Sequence, residues 1–157
     1  PDTIRRAWER FGPRKDADAV SDFARGVVSV ERGESESISV GNLEAVRDFL
    51  DVRDVARALV HLMEHGAAGE AYNLCSGKGT RLGDVLDGFV AAAGVSVRVV
   101  ADPARMRPAD DPVLIGDHRK LERLGWTPEL SLSQTLQDTL AWWRASTGQG
   151  QVMVPHG

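Results

Sequence analysis

The strongest constraint on the fold is a short stretch in which a strand, a turn, a second strand and a helix follow one another without a linker. Residues 37–40 alternate polar and apolar side chains, as a half-buried strand does. Gly41 and Asn42 predict a turn, because both tolerate a positive φ. Residues 45–50 predict a second short strand. From Asp51 onward apolar residues recur every three or four positions, which predicts a helix with Asp51 as its N-cap.

Arg47 is a fixed cation between apolar neighbours in the second predicted strand. A guanidinium in such a place needs an anionic partner. Asp48 or Asp51 could supply one, which would make Arg47 part of an internal salt bridge. A ligand phosphate could supply it as well, so the local sequence leaves both interpretations open.

Further amphipathic patterns predict helices and strands along the rest of the chain. One helix begins at Asp18 or Ser21 and ends at Gly33, and another begins at Thr80 and ends at Gly94. A short helix follows Asp117, and the last helix has Ser131 as its cap. Strands are predicted at 71–75 and 95–100, which with the intervening helix make a β-α-β unit. Trp126 is predicted to lie in the core.

Three glycines in this β-α-β unit raise an alternative. Gly77, Gly79 and Gly83 follow a predicted strand and enter a helix, and Asp102 ends the next strand. This approaches the dinucleotide-binding fingerprint, although the spacing is one residue too long. A small dinucleotide-binding domain using the Gly77 to Gly83 loop is therefore one hypothesis.

A second chemical motif runs from Arg105 to Asp110 with the sequence RMRPAD. Pro108 disfavours helix at Arg107 and keeps the segment extended. An arginine on a stiff, extended segment suits bidentate contact with phosphate, and Asp110 could accept hydrogen bonds from ribose hydroxyls. The alternative is a solvated charged loop.

Composition excludes several classes of function. The chain has 157 residues, enough for one domain, and 42% of them are hydrophobic. The net charge of −4 with no basic block excludes nucleic acid as a partner, and no apolar run is long enough to span a membrane. One cysteine suits a reducing cytoplasm, and the four scattered histidines show no metal-ligand spacing.

Three stretches carry a family resemblance: GNLEAVRDFLDVRDVARAL, AYNLCSGKGTRLGDVLD and RMRPADDPVLIGDHRKLERLGW. They resemble the extended short-chain dehydrogenases/reductases that act on nucleotide sugars, the NAD-dependent epimerase/dehydratase family. The resemblance is nearest to the GDP-6-deoxy-4-keto-mannose reductases and next to the GDP-mannose 4,6-dehydratases. It covers about residues 21–144. The family's Arg-Pro-Phe-Asn strand has no match at residues 8–11, where the substrate-binding asparagine is missing.

The resemblance implies an α/β fold: the C-terminal substrate-binding part of an extended Rossmann-type reductase, with an incomplete parallel sheet and packed helices. Residues 1–145 would bind the nucleotide sugar, and 146–157 would form a loose tail. By the same resemblance the nucleotide-sugar site consists of the side chains of Arg47, Arg107 and Asp110 together with the backbone of Val40, Gly41 and Asn42, which would border the base.

Family enzymes also use NAD(P), bound by a Gly-rich first turn, and a Tyr-x-x-x-Lys pair that moves the proton. The one tyrosine here is Tyr72, and position 76 is serine. We therefore expect the N-terminal NAD(P)-binding half to be absent from a chain that starts at Pro1, and this chain alone to bind no NAD(P) and to lack the reaction. A stand-alone binding or interaction module of the same fold is the other hypothesis.

The expected ligand is a GDP-sugar or a related nucleotide sugar, and the expected location is cytoplasmic. In the family, the strand near Ala71 completes a sheet whose other strands lie in the N-terminal half. Without them its edge would be open. The resemblance therefore also implies homo-oligomerisation or pairing with a second chain.

Overall fold

The computed structural model describes residues 18–106 and 111–146. Its helices and strands are interspersed along the chain, with one 3₁₀ turn at Pro103–Arg105. The helices are α1 (Ala19–Glu31), α2 (Val52–His65), α3 (Leu82–Ala93), α4 (Arg119–Glu122) and α5 (Leu132–Ser146). The strands are β1 (Ser37–Val40), β2 (Val46–Asp48), β3 (Gly79–Arg81), β4 (Arg98–Ala101) and β5 (Val113–Leu114).

The strands form two small sheets. β1 pairs in parallel with β4, with Val40 opposite Ala101. In the second sheet β2 is central: it runs antiparallel to β3 and parallel to β5, so that Arg47 lies between Thr80 and Leu114. The predicted α/β fold with a small, incomplete parallel sheet and packed helices is confirmed.

The main core lies where α1, α3 and α5 pack together over β1. The apolar periodicity that predicted these helices supplies its side chains, because residues three and four apart share one helix face. Buried members are Phe23, Val27, Ile38, Val85, Phe89, Leu136 and Leu140. A second cluster contains Ala58, Leu121 and Trp126. Trp126 is 3% exposed, so its predicted core position is confirmed.

Two acidic residues attach α2 to the start of α5. Asp51 caps α2 by accepting a hydrogen bond from the Arg53 N–H at 2.8 Å. Asp54 is completely buried and accepts from the N–H groups of Glu129 (3.1 Å) and Leu130 (3.0 Å). The guanidinium of Arg57 donates to the same carboxylate, so this buried charge is both paired and hydrogen-bonded.

Local signals for element ends are largely correct. α1 has Asp18 as its N-cap and α3 ends at Gly94, which adopts the left-handed conformation at φ 69°. The Ser131 hydroxyl accepts from the Gln134 N–H at the start of α5. Asp117 accepts from the Arg119 N–H, although the cap position of α4 is His118.

The predicted strand at 71–75 is wrong. Ala71 and Asn73 are exposed, Tyr72 and Leu74 are half-buried and Cys75 is buried, but these residues belong to no sheet in the described part of the chain. The physical reason is that a strand needs a partner, and no described strand runs alongside them. The sequence pattern therefore did not predict the pairing of this segment.

The predicted β-α-β unit is wrong for the same reason. β4 pairs with β1 instead of a strand at 71–75. Thr80 is not the cap of α3 but the middle residue of β3, opposite Arg47, and α3 begins after Arg81.

Candidate functional site

The turn after β1 lies directly against the start of the RMRPAD motif. A Cβ atom at Gly41 would lie 2.5 Å from the backbone oxygen of Arg105, so only glycine fits at this approach. The Asp102 N–H donates to the Val40 carbonyl at 2.8 Å, which continues the β1–β4 pairing into the turn. Val40 and Gly41 are thus backbone neighbours of this motif.

Ion pairs and a cap hold the first residues of the motif. The Asp102 carboxylate accepts from the Ala104 N–H at 2.9 Å and caps the 3₁₀ turn. The Arg105 guanidinium donates to Asp22 of α1 at 3.0 Å. Arg105 therefore stabilises the fold, and the 3₁₀ turn at the start of the motif is held in place.

Arg47 holds the other end of the motif. Its Nη1 donates to the carbonyl oxygen of Asp111 at 2.8 Å and to that of Val46, also at 2.8 Å. The Val46 N–H in turn donates to the Pro112 carbonyl at 2.8 Å. Arg47 thus lies at the point where the chain returns from the motif into β5.

The two motifs singled out in the sequence therefore meet in space. Gly41 contacts Arg105, before residues 107–110, and Arg47 contacts Asp111, after them. Arg107 and Asp110 themselves lie outside the described residues, as do residues 8–11. Asn42 lies in the same turn, where its side-chain oxygen accepts from the Glu44 N–H at 3.0 Å.

The acids suggested as internal partners of Arg47 direct their carboxylates elsewhere. Asp51 accepts from Arg53 and, at 2.7 Å, from the Thr135 hydroxyl. Asp48 accepts from Ser76, Gly77 and Gly116. Arg47 and Asp48 are consecutive in a strand, so their side chains leave opposite faces of the sheet.

Sequence reasoning missed the role of Asp48. Its partners lie 28, 29 and 68 residues further along the chain, so no local spacing marks them. Three conformationally demanding glycines at 77, 79 and 116 were the available signal, since several backbone segments that approach closely need residues without a side chain.

The glycine loop does not have the geometry of a dinucleotide site. In such a site the loop amides point at a pyrophosphate. Here the N–H groups of Ser76 and Gly77 both donate to Asp48 at 2.8 Å, and the Gly83 N–H donates to the Leu43 carbonyl at 2.9 Å. A Cβ at Gly77 would lie 2.8 Å from the His118 ring. These glycines serve the packing of the β3–β2–β5 sheet.

Two grooves lie elsewhere on the described surface. One of 460 Å³ runs between α2 and the turn at Trp126, and one of 380 Å³ lies beside α4. Neither is lined by Arg47, Gly41 or Asn42. In the second groove, a hydrogen bond from Arg119 holds the pKa of the Asp117 carboxyl well below its usual range.

The question of a metal site, a membrane-spanning helix or a reactive thiol also arises for residues 18–106 and 111–146. No cluster of histidine, cysteine and carboxylate side chains there could hold a metal ion, and no helix there is long and apolar enough to cross a membrane. Cys75 is buried, and burial raises the pKa of its thiol.

Comparison with known proteins decides the family. Residues 2–139 match the family described as GDP-mannose 4,6 dehydratase. The chain belongs to this family. Membership agrees with the resemblance found in the GNLEAVRD and RMRPAD motifs.

Relatives within the family include reductases and dehydratases. GDP-6-deoxy-D-mannose reductase of Pseudomonas aeruginosa is 34% identical over 90% of this chain and 48% of its own length. GDP-mannose 4,6-dehydratase of Vibrio cholerae is 24% identical over 87% of this chain and 42% of its own. The chain thus spans about half the length of these family members.

Solved structures show the same fold. RMD from Pseudomonas aeruginosa, complexed with NADPH, has a TM-score of 0.79 at 32% identity over 85% of this chain and 44% of that one. UDP-glucose 4-epimerase from Thermotoga maritima, with UDP-glucose, has a TM-score of 0.74 at 30% identity, over 88% and 43%. These structural neighbours are of the Rossmann type, and this chain matches a little under half of each.

Proposed function

We propose that this chain forms the GDP-sugar-binding portion of an NAD(P)-dependent GDP-sugar reductase or dehydratase. The observation that carries the proposal is that Gly41 approaches the Arg105 backbone and Arg47 donates to the Asp111 carbonyl, the described residues on either side of 107–110. By the family resemblance the proposed site also takes Arg107 and Asp110, so that it has two arginines and one acid. A diphosphate needs guanidinium donors, and a ribose needs an acceptor for its hydroxyls.

The relatives support GDP as the nucleotide. The names of the reductase and the dehydratase both specify a GDP-linked mannose derivative. The UDP-glucose 4-epimerase has a similar fold with a different base. The fold alone therefore does not specify guanine, and the proposal for GDP depends on the family match.

Binding, not chemistry, is the proposed role of the described residues. Tyr72 is the one tyrosine, Ser76 follows four positions later, and the Tyr72 hydroxyl accepts from the Ala67 N–H at 3.1 Å. Lys120 lies 4.5 Å above the Tyr72 ring, where it also donates to Glu70 and to the Ala71 carbonyl. Tyr72 thus has structural partners, and in this proposal the Tyr-x-x-x-Lys pair of the family would be supplied by other residues of a full-length enzyme.

The contacts of the glycine loop support a proposed site without NAD(P). The N–H groups of this loop donate to the Asp48 carboxylate and to the Leu43 carbonyl, so they are not directed at a pyrophosphate. NAD(P) belongs to the proposed function only as the hydride carrier bound by the remainder of a full-length family enzyme.

Parallel calorimetric titrations of the chain with GDP, UDP and NADPH test the proposal. We expect GDP to bind, UDP to bind more weakly and NADPH not to bind. Arg47→Ala should weaken GDP binding at least about tenfold, since it removes a charge-assisted phosphate contact. Arg98→Ala is the matched control: Arg98 is an exposed arginine of β4 opposite Ser37, at the other end of the β1–β4 pair.

Two results would contradict the proposal. One is a wild-type chain that folds but shows no heat or thermal shift with GDP. The other is equal GDP affinity in Arg47→Ala and Arg98→Ala, which would remove Arg47 from the site. Binding of NADPH alone would favour the glycine-loop hypothesis instead.

A further inference from the structure

Asp48 is the last residue of β2, and its carboxylate accepts hydrogen bonds from the segments next to both neighbouring strands, β3 and β5. Oδ1 accepts from the Ser76 N–H at 2.8 Å and from the Ser76 hydroxyl at 2.7 Å. Oδ2 accepts from the N–H groups of Gly77 at 2.8 Å and Gly116 at 3.2 Å. Ser76 and Gly77 precede β3, whereas Gly116 follows β5. One carboxylate therefore joins the ends of both strands that flank β2.

The surrounding backbone is shaped for this carboxylate. A Cβ at Gly116 would lie 2.5 Å from the Cys75 sulfur, so glycine lets the two segments approach. A Cβ at Gly79 would lie 2.6 Å from the Ile115 side chain, and Gly77 has a positive φ of 74°. Glycine is thus required wherever the chain closes around Asp48.

β5 has little else to hold it in place. It is two residues long, and Val113 and Leu114 are each 56% exposed, so burial contributes little to its position. Its attachments are its backbone pairing with β2, the bond from Gly116 to Asp48 and, beside the strand, the bonds from Arg47 to the Asp111 carbonyl and from Asn73 to the Asp117 carbonyl. The same strand follows Asp111, whose carbonyl receives the Arg47 guanidinium.

We propose that Asp48 is a positioning residue for the nucleotide site: its carboxylate locks β3 and β5 onto β2 and thereby sets the geometry between Arg47 and the Asp111 backbone. Arg47, on one face of β2, would contact the ligand. Asp48, on the other face, holds β5 beside β2 and thereby fixes the position of Asp111, to which Arg47 donates. This inference rests on the proposed function, because the site it positions is the proposed GDP-sugar site.

The main core offers a way to separate positioning from general stability. The cluster of α1, α3 and α5 does not include Asp48. Loss of the carboxylate should therefore open the β3–β2–β5 sheet locally while that core remains folded. Amide hydrogen exchange distinguishes the two cases residue by residue.

The experiment compares Asp48→Ala with Asp87→Ala, an exposed acid of α3. Two quantities are measured: GDP affinity by calorimetry, and exchange at the amides of Val46, Asp111 and residues 113–116. We expect Asp48→Ala to weaken GDP binding at least about tenfold and to speed exchange at those amides similarly, since a charge-assisted hydrogen-bond cluster is lost. Exchange in α1 and α3 should not change, and Asp87→Ala should match the wild type in both measurements.

Chemical rescue supplies a readout that a general loss of stability would not give. Formate fits the space left in Asp48→Ala and can accept the orphaned N–H bonds. At matched ionic strength, formate should restore GDP affinity and slow exchange in Asp48→Ala, whereas chloride should not. Asp48→Asn keeps the shape but turns an NH₂ group toward N–H donors. It should therefore bind GDP weakly, and formate should not restore it.

Several outcomes would overturn the inference. Wild-type GDP affinity in Asp48→Ala would do so, as would weakened affinity with unchanged exchange at Val46, Asp111 and residues 113–116. If Asp48→Ala does not fold, the same measurements on Asp48→Asn decide. If the wild-type chain does not bind GDP, the proposed function fails. The exchange measurement alone then decides whether Asp48 holds β5 onto β2.

Discussion

The carboxylate of Asp51 accepts a hydrogen bond from the hydroxyl of Thr135 at 2.7 Å, which joins the first turn of α2 to α5 across 84 positions of sequence. Asp51 also caps its own helix and forms an ion pair with Arg53. The Asp51 side chain therefore both caps the start of α2 and attaches α2 to α5.

We expect Asp51→Ala to lower the free energy of unfolding by about 2 kcal/mol, since it removes an N-cap and the nearer acceptor of the Thr135 hydroxyl, which keeps only the Ser131 carbonyl at 3.2 Å. Thr135→Val should cost less, about 1 kcal/mol, because the cap remains. Urea denaturation of both variants and of the double variant measures their coupling. Strictly additive losses would mean that Asp51 and Thr135 do not interact.

Acid should weaken this docking in a defined pH range. The hydrogen bond from Arg53 lowers the pKa of Asp51 from 3.8 to about 2. Because the pKa is lower in the folded state, the unfolded chain binds more protons below about pH 4. The stabilisation, about 2 kcal/mol, is therefore complete above pH 4 to 5 and is lost as the pH falls through 2. Urea midpoints from pH 6 to 2 should fall less steeply for Asp51→Asn than for the wild type. Parallel curves would contradict the assignment.

Gly41→Ala should weaken GDP binding. The new Cβ would lie 2.5 Å from the Arg105 carbonyl oxygen, which is too close, so the Arg105 backbone would have to move away. Gly33→Ala provides the matched glycine control: its φ is 71° and no atom lies near the new Cβ. The control should cost about 1 kcal/mol of stability through backbone strain and leave GDP affinity unchanged. Equal affinities for the two variants would show that the turn after β1 is not part of the site.

Self-association stays a prediction. Two apolar side chains of α2 are exposed on one helix face, Val60 at 57% and Met63 at 84%. We expect a second copy of the chain to cover them, since adjoining exposed apolar side chains mark interaction surfaces. Sedimentation velocity should show concentration-dependent association that Val60→Ser with Met63→Ser reduces without changing the helical circular dichroism. A wild-type chain that stays monomeric at high concentration would contradict this.

The local elements followed from the sequence because their signals lie within a few residues. Asp51 and the apolar residues after it predicted where α2 begins, and Gly94 predicted where α3 ends. Capping depends on hydrogen bonds to the nearest three or four amides, so it is visible in a short window. The two motifs of the site were found in the same way, as local strings that resemble a family.

Pairings over long distances were decided only by the tertiary structure. Thr80 forms a strand instead of capping a helix because Arg47 lies opposite it, and 71–75 is no strand because no described strand lies beside it. The glycines that resembled a dinucleotide site instead surround Asp48, whose partners are up to 68 residues away. The sequence by itself determined the helices, β1 and the site motifs, since those depend on neighbours in the chain. Only the tertiary structure decided which strands meet and which groups their amides bind, because each polar group takes the partner that packing brings within reach.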